Sequence, residues 1–278
     1  MSRKISKKNN IIYISNFLAK HGSYPNQGSI VVELLKKKGW NIEFTSSVKN
    51  RFLRLLAVTC KIIRAFFYRR NKISVIDLFS GPNYFNAVTF FVLLHNIFRI
   101  KYILVLRGGN LPKKIQNYRN RINFVFKNSI HIIAPSEWFA KVIGDELCLK
   151  NISVIPNGIF CDNYPKSDMS KINNIVFLRS FHRYHDPLTL IEAYFHVRKK
   201  HPAAKLTLIG FDEKDGTYND CIEKIDYLSL KDNVVIKNPI NKEDVPLLAK
   251  EHALYINCSI VDNTPVSTIE AMAMGMCI

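Results

Sequence analysis

Short runs of β-branched residues alternate with longer stretches of helical periodicity along the whole chain. In the first half, strands are predicted at residues 11–15, 41–45, 74–78, 102–106, 130–134 and 153–155, and helices at 29–38, 49–70, 84–98 and 137–146. In the second half, strands are predicted at residues 174–178, 205–209, 233–236 and 253–257, and helices at 187–200, 218–229, 242–250 and 265–274. This alternation favours parallel sheets covered by helices on both faces.

A strong turn signal, Pro156-Asn157-Gly158, divides this pattern into two halves. At 278 residues the chain is long enough for two domains, which we place at residues 1–160 and 161–278 with a linker at 157–171. The expected fold is α/β, with two facing, doubly wound Rossmann-like domains and a ligand in the cleft outside the carboxyl ends of their strands. Residues 277 and 278 look like the start of one more strand, so the second domain is expected to be incomplete.

The two halves differ in charge. Residues 1–160 contain 26 Lys and Arg against 6 Asp and Glu, a net charge of +20, whereas residues 161–278 contain 14 against 16, a net charge of −2. An anionic partner is therefore expected on the first half: nucleic acid, a lipid surface or an acidic substrate.

The predicted helix within residues 49–72 carries a broad basic arc with apolar neighbours. The basic residues are Arg51, Arg54, Lys61, Arg64 and Arg69. The helix is interpreted either as an amphipathic helix that binds an anionic membrane surface, or as a helix packed on the sheet with a solvated basic face.

The six cysteines are scattered, without a C-x-x-C pair or the His spacing of a zinc site. This pattern predicts a reduced, cytoplasmic setting and no structural metal. His182 and His185 lack an evident third ligand. The most apolar run, residues 87–94, is far shorter than the roughly 20 residues of a membrane-spanning helix and is predicted to be a buried helix.

The end of the sequence holds two acidic residues, Asp262 and Glu270, separated by seven positions. Thr264 is expected to cap a helix, Pro265 to take its first position and Gly275 to close it. The N-terminus of such a helix offers free N–H groups and a partial positive charge to a phosphate. Glu270, more than one turn further on, could accept hydrogen bonds from a ribose diol.

Two loops of the first half carry candidate binding residues. Gly28, at the start of a helix, would let backbone approach a phosphate, although a plain strand-to-helix turn is the more common meaning of such a glycine. Arg107 follows a buried-looking strand, where Gly108 and Gly109 leave room for a ligand and Arg107 could reach an anionic group. The alternative there is a turn with a solvated arginine.

The loop at residues 179–187 joins a strand to a helix in the second half. It brings cationic and titratable side chains to a helix N-terminus, which suits a diphosphate. These side chains are Arg179, His182, Arg183 and His185.

Four stretches, taken in order, resemble motifs of the GT-B retaining glycosyltransferases of family 4, which move sugars from nucleotide donors. Residues 154–159 resemble that family's interdomain signature. Arg179 with residues 188–193 resembles its phosphate-binding segment, and residues 205–210 resemble the strand that follows. Residues 262–265 and 270–275 resemble its E-x7-E element, the most specific of the four. The resemblance runs from about residue 11 to the last residue.

The resemblance implies a role for each matching residue. Glu270 would hold the donor ribose, Arg179 would neutralise the departing diphosphate, and Asp262 would lie near the sugar hydroxyls. The loop at Asn238 would receive the base, mostly through backbone. Backbone at the helix start would contact the diphosphate or the donor sugar, at Thr264, Pro265 and Val266.

The chain also departs from the family pattern. The first acid is Asp262 instead of a glutamate. The lysine that normally accompanies Arg179 is absent, so Arg183 or His185 must substitute. Arg107 stands where many relatives have a catalytic-domain histidine, and family members continue beyond the E-x7-E element with further strands and a closing helix.

The resemblance implies transfer of a hexose, with retention, from a UDP- or GDP-sugar to a saccharide or a lipid-linked acceptor in bacterial polysaccharide or lipopolysaccharide synthesis. It implies no cofactor, no metal and no nucleic-acid partner, and a cytoplasmic enzyme held peripherally on the inner face of the plasma membrane. Two alternatives stay open. One is a non-catalytic remnant or a partner subunit, with a second chain supplying the missing elements. The other is a basic nucleic-acid-binding protein, which would give no reason for the Asp262–Glu270 element.

Overall fold

The computed structural model of the chain describes residues 10–15, 26–44, 50–67, 73–79, 81–107, 111–112, 115, 118–260 and 262–278. The first compact unit ends at Asn157, and the second runs from Gly158 to Ile278. Within the described residues, no helix is long and apolar enough to cross a bilayer. Gly109, one of the candidate binding residues, lies outside them.

The first unit is a parallel sheet with helices between its strands. Its strands are β1 (Asn10–Ile14), β2 (Asn41–Phe44), β3 (Ile73–Leu78), β4 (Lys101–Leu106), β5 (His131–Ala134) and β6 (Ile152–Val154). Its helices are α1 (Gln27–Lys37), α2 (Arg51–Phe67), α3 (Pro82–Ile97), α4 (Arg119–Lys127) and α5 (Glu137–Leu147). The described strands lie in the order β2-β1-β3-β4-β5-β6, so the winding reverses between β1 and β3.

Helix α4 is absent from the sequence-based prediction, because charged and polar residues dominate it. Its apolar residues Ile122, Val125 and Phe126 are fully buried. Their spacing of three and four is the helical signal that its polar composition hides. The apolar run at residues 87–94 lies within α3, where Val88, Phe91 and Val92 are buried in the core, as predicted.

The second unit is a smaller parallel sheet. Its strands are β7 (Asn174–Leu178), β8 (Lys205–Ile209), β9 (Val234–Lys237) and β10 (Leu254–Tyr255), and its helices are α6 (Pro187–Lys200), α7 (Thr217–Tyr227) and α8 (Val266–Ala273). The described strands lie in the order β10-β7-β8-β9, with the reversal between β7 and β10. Cys277 pairs with Leu254 in a further parallel bridge.

Side chains of the second sheet alternate between two cores. Ile175 and Phe177 of β7 pack with α6 and α7, whereas Val176 packs with residues of α8. This alternation is the two-residue period of a strand covered on both faces. The segment Lys242–Lys250, predicted as an α-helix, is a 3₁₀-helix, because Pro246 within it removes a backbone donor.

Candidate functional site

Six of the twelve predicted site residues lie in the loops that follow β7 and β10, on either side of the strand-order reversal of the second unit. The carboxyl ends of strands at such a reversal form a ligand-binding crevice. The loop after β7 contains Arg179 and His185, and the loop after β10 contains Asp262 and leads into α8. The topology therefore brings these residues together at one edge of the sheet.

Gly210, directly after β8, sets the path of the Arg179 backbone. A Cβ atom at Gly210 would lie 1.9 Å from the Arg179 carbonyl oxygen, which no side chain allows. The Arg179 N–H donates to the Ile209 carbonyl oxygen at 3.1 Å. Only glycine permits this approach, so the glycine that ends the stretch at residues 205–210 has a structural reason.

Arg179 and Asp262 form an ion pair across these two loops. The Arg179 Nη2 atom lies 2.5 Å from Asp262 Oδ2, and the two side chains are 18% and 20% exposed. The pair lies at the crevice edge, with enough exposure for a ligand to reach it. A diphosphate that binds Arg179 must therefore compete with Asp262.

His185 orients Arg179 as a neutral acceptor. Its Nδ1 atom accepts from Arg179 Nη2 at 3.2 Å and lies 3.0 Å from Ser259 Oγ. Burial, together with the neighbouring Arg179 and His182, lowers the pKa of His185 to about 3. In this arrangement His185 is a neutral acceptor, and its role as the second cation in place of the family's lysine stays a prediction.

Arg183 and His182 lie toward a different partner, Asp215. The Arg183 N–H donates to Asp215 Oδ2 at 3.1 Å, and His182 Nε2 lies 3.7 Å from the same oxygen. The exposed Arg183 guanidinium lies 5.7 Å from the centre of the Tyr184 ring. In this conformation, Arg183 is not gathered with Arg179.

The start of α8 differs from the prediction. Pro265 is the N-cap and makes no side-chain capping bond, and the helix begins at Val266. Thr264, the predicted cap, instead adopts a left-handed conformation with φ of 72°, which turns the chain into the helix. The first-turn N–H groups, beginning with Val266, have no intrahelical acceptor and remain the expected anion contact.

Glu270 on α8 is almost completely buried, with 1% of its surface exposed. Its Oε1 atom accepts a hydrogen bond from the Tyr164 hydroxyl at 2.5 Å and pairs with the Lys242 ammonium. Its Oε2 atom is buried and has no hydrogen-bond partner among the described residues. Since a buried acceptor without a donor is costly, Oε2 is a ready site for a ligand hydroxyl.

Sequence reasoning missed Tyr164 and Lys242. Tyr164 lies in the predicted linker, 106 positions from Glu270, and Lys242 begins the 3₁₀ segment. Neither carries a motif, because their contact with Glu270 exists only in three dimensions. Asn238 lies exposed directly after β9, at the carboxyl end of that strand.

In the first unit, Arg107 is held by three internal partners. Its Nε donates to Asp77 Oδ1 at 3.0 Å, its Nη1 to Asn157 Oδ1 at 2.9 Å, and its Nη2 to the Tyr13 hydroxyl at 3.4 Å. The Arg107 side chain is only 10% exposed, and that of Asp77 is fully buried. Neither sequence interpretation of Arg107, an anion contact or a solvated turn residue, agrees with this geometry. It is an internal ion pair at the carboxyl ends of β3 and β4.

Gly28 is required by the same cluster. A Cβ atom at Gly28 would lie 2.7 Å from Asp77 Oδ2 and 2.9 Å from Ser15 Oγ, which donates to that carboxylate at 2.6 Å. The space beside Gly28, at the start of α1, is therefore filled by protein groups. This packing gives the glycine a structural reason and favours the strand-to-helix turn over a phosphate contact. Asp77 itself gave a sequence signal, as an acid within an apolar strand.

One part of the chain matches a known protein family. Residues 165–278 match the family Glycosyl transferases group 1. The group 1 match lies within the second unit and contains Arg179, Asp262 and Glu270. This unit is therefore similar to the glycosyltransferase domains of that group. No curated protein matches the chain by sequence.

Several solved structures resemble nearly the whole chain. Anabaena HepE, solved with UDP and glucose, is 14% identical with a TM-score of 0.70, over 96% of this chain and 79% of that one. Sucrose-phosphate synthase from Thermosynechococcus elongatus is 15% identical with a TM-score of 0.73, over 97% and 80%. A TarM variant from S. aureus is 17% identical with a TM-score of 0.55, over 80% and 44%. These likenesses confirm the predicted α/β fold of the GT-B type with parallel sheets.

Proposed function

We propose that the protein is a glycosyltransferase that moves a hexose from a nucleoside diphosphate sugar to an acceptor hydroxyl with retention of configuration. The observation that carries this proposal is the Arg179–Asp262 pair at the strand-order reversal, within a group 1 match that also contains the buried Glu270 on α8. The retaining, family 4 assignment rests on the motifs at residues 179–193 and 262–275.

The donor is a UDP- or GDP-sugar, and the transfer needs no cofactor or metal. HepE has been solved with UDP and with UDP-glucose, which supports a nucleotide-sugar donor for a chain of the same fold. Glu270 Oε2 would accept from the ribose hydroxyls, Arg179 would bind the diphosphate at the N-terminus of α8, and the loop at Asn238 would receive the base.

The chemistry assigned to the protein is charge stabilisation. In a same-face substitution the leaving diphosphate helps to deprotonate the acceptor hydroxyl, so no strong protein base is required. Arg179 and the first N–H groups of α8 would stabilise the charge that grows on the diphosphate. Asp262, released from Arg179, would orient the sugar hydroxyls.

The first prediction concerns these residues. Arg179→Ala and Glu270→Ala are each expected to lower transfer by at least about 100-fold, because each removes a donor contact, whereas Lys200→Ala on the exposed end of α6 keeps full activity. The measurement is product release from a panel of nucleotide sugars, with the anomeric configuration read by NMR. An inverted product would contradict retention, and undiminished turnover in either alanine variant would contradict the site.

The acceptor is a saccharide or a lipid-linked saccharide of polysaccharide or lipopolysaccharide synthesis, reached at the inner face of a bacterial plasma membrane. Helix α2 supports this proposal, because its outer face is apolar: Phe52, Leu53, Leu56 and Phe67 are 79%, 56%, 58% and 72% exposed. Such a face beside basic residues is typical of helices that lie in a membrane interface.

The basic arc of α2 is smaller than predicted. The Lys61 ammonium donates to the Phe44 carbonyl oxygen, and burial lowers its pKa, so it does not belong to the exposed face. Arg64 is exposed on the helix, whereas Arg69 lies outside the described residues. The exposed apolar residues of α2 therefore favour the membrane interpretation more than its basic residues do.

The second prediction tests this face. Flotation with anionic vesicles should recover the protein, and zwitterionic vesicles should recover less of it, because lipid charge adds about 1 kcal/mol per nearby basic residue. Phe52→Glu with Leu56→Glu should abolish flotation, while Tyr227→Glu, on an exposed residue of the second unit, should not. Equal recovery on both vesicle types would count against an anionic membrane partner.

A further inference from the structure

The two oxygens of the buried Glu270 carboxylate have different surroundings. Oε1 receives both the Tyr164 hydroxyl and the Lys242 ammonium, whereas Oε2 has no hydrogen-bond partner among the described residues. The three side chains come from separate parts of the second unit: the segment after the 3₁₀ turn Cys161–Asn163, the 3₁₀ segment Lys242–Lys250, and α8.

Both partners donate to Oε1. Burial and the bond to Glu270 raise the pKa of the Tyr164 hydroxyl, so that it keeps its proton, and a lysine ammonium carries donors alone. Two donors on one oxygen fix the plane of the carboxylate, and the ammonium compensates its charge. Oε2 then keeps two lone pairs for a ligand, enough to accept from both hydroxyls of a vicinal diol.

We infer that Tyr164 and Lys242 are positioning residues that hold Glu270 for a ribose diol and so select ribonucleotide over deoxyribonucleotide donors. The inference rests on the proposed nucleotide-sugar function and deepens it. A site built to accept from ligand hydroxyls rejects an analogue that lacks them, because its buried oxygen then stays unpaired.

Binding experiments measure this selection directly. UDP and GDP, each beside its 2′,3′-dideoxy form, are titrated calorimetrically into the wild-type protein, Tyr164→Phe and Lys242→Met. The wild-type protein should prefer the ribonucleotide by at least about tenfold, and both variants should lose most of that preference. If the variants bind both forms of the nucleotide equally more weakly, so that the ratio of the two affinities stays as in the wild-type protein, the inference is overturned.

Matched control variants make the same substitutions at exposed residues that do not contact Glu270. Tyr227→Phe removes a hydroxyl from an 83% exposed tyrosine, and Lys250→Met removes an exposed ammonium at the other end of the same 3₁₀ segment. Both should keep the wild-type ratio. Lys242→Arg should restore most of the selection lost in Lys242→Met.

In transfer assays, Tyr164→Phe and Lys242→Met should raise the donor KM about tenfold and change kcat less than about twofold, since the ribose contact is equal in ground and transition states.

A nucleotide-free measurement tests the Lys242–Glu270 contact separately from the proposed function. Lys242→Met leaves the Glu270 carboxylate buried without its ammonium, and should lower Tm by at least about 4 °C. Adding Glu270→Gln should restore most of that loss. A wild-type Tm in Lys242→Met would show that the pair does not hold Glu270. If neither UDP nor GDP binds the wild-type protein, the proposed function fails, while the Tm comparison still decides whether Lys242 holds Glu270.

Discussion

At the residue scale, Arg179 is already paired before any ligand is present. Asp262 binds it at 2.5 Å, and neutral His185 accepts from the same guanidinium at 3.2 Å. The Arg179 guanidinium is therefore oriented, and part of its charge is compensated. A diphosphate at Arg179 would compete with the Asp262 charge, and displacing Asp262 would free that carboxylate for another partner.

A third prediction follows for Asp262→Asn. This variant should bind free UDP or GDP several-fold more tightly, because the diphosphate no longer competes with a carboxylate for Arg179. It should also transfer sugar more slowly, because the carboxylate that orients the sugar is lost. Calorimetry and turnover measure the two effects. Asp226→Asn, at an exposed ion pair with Lys231, is the control and should change neither. Weaker nucleotide binding in Asp262→Asn would contradict the competition.

How far a residue was predictable depended on the kind of contact it makes. Arg179, Asp262 and Glu270 carry local motifs, so the sequence indicated them. Tyr164 carries no motif, because its partner lies 106 positions away in the chain. Asp77 stands out as an acid within an apolar strand, but the sequence does not indicate its partner Tyr13, 64 positions away. Side-chain contacts between distant segments leave no local pattern to recognise.

At the element scale, local pattern predicted the regular segments well. The bounds of β7, β8 and α6 agree with the predicted ranges, since alternating apolar residues and clear caps mark them. The misses have local causes too: polar composition hides α4, and Pro246 changes the helix type of Lys242–Lys250.

The fourth prediction concerns the start of α6. Asp186 is its N-cap, accepting from the Thr189 N–H at 3.3 Å and from its hydroxyl at 2.8 Å, with φ of 47°. Asp186→Ala should lower the unfolding free energy of the second unit by about 1–2 kcal/mol, since it loses the cap and keeps a strained φ. Asp186→Gly should lower it by only a few tenths of a kcal/mol, because glycine is an acceptable N-cap residue and adopts a positive φ without strain. Urea unfolding followed by circular dichroism measures the difference, and an equal loss in both variants would contradict it.

At the scale of the whole molecule, buried neutral histidines couple stability to pH. His95 in the first unit is fully buried, with Nδ1 donating to the Phe91 carbonyl oxygen and Nε2 lying 2.7 Å from Ser74 Oγ. Burial lowers its pKa to about 4. His185, with its pKa lowered to about 3, acts in the same direction in the second unit.

The fifth prediction is a loss of stability in mild acid. Between about pH 6.5 and pH 4, the unfolded chain binds a proton at His95 that the folded chain does not, so the unfolding free energy falls by about 3 kcal/mol as pH falls. His95→Gln should flatten this dependence for the first unit, and the exposed His196→Gln should not. Denaturant midpoints measured across this pH range give the slopes. An unchanged slope in His95→Gln would contradict the assignment.

The sequence by itself determined the α/β class, the alternation of elements, the charge difference between the halves, and the acid pair of the candidate site. Each of these features depends only on the local spacing of residues or on residue counts. Only the tertiary structure decided which groups face one another: that Asp262 holds Arg179, that Tyr164 and Lys242 hold Glu270, and that Asp77 lies beside Gly28. Strand order and burial produce these contacts, because they join segments that the sequence keeps far apart.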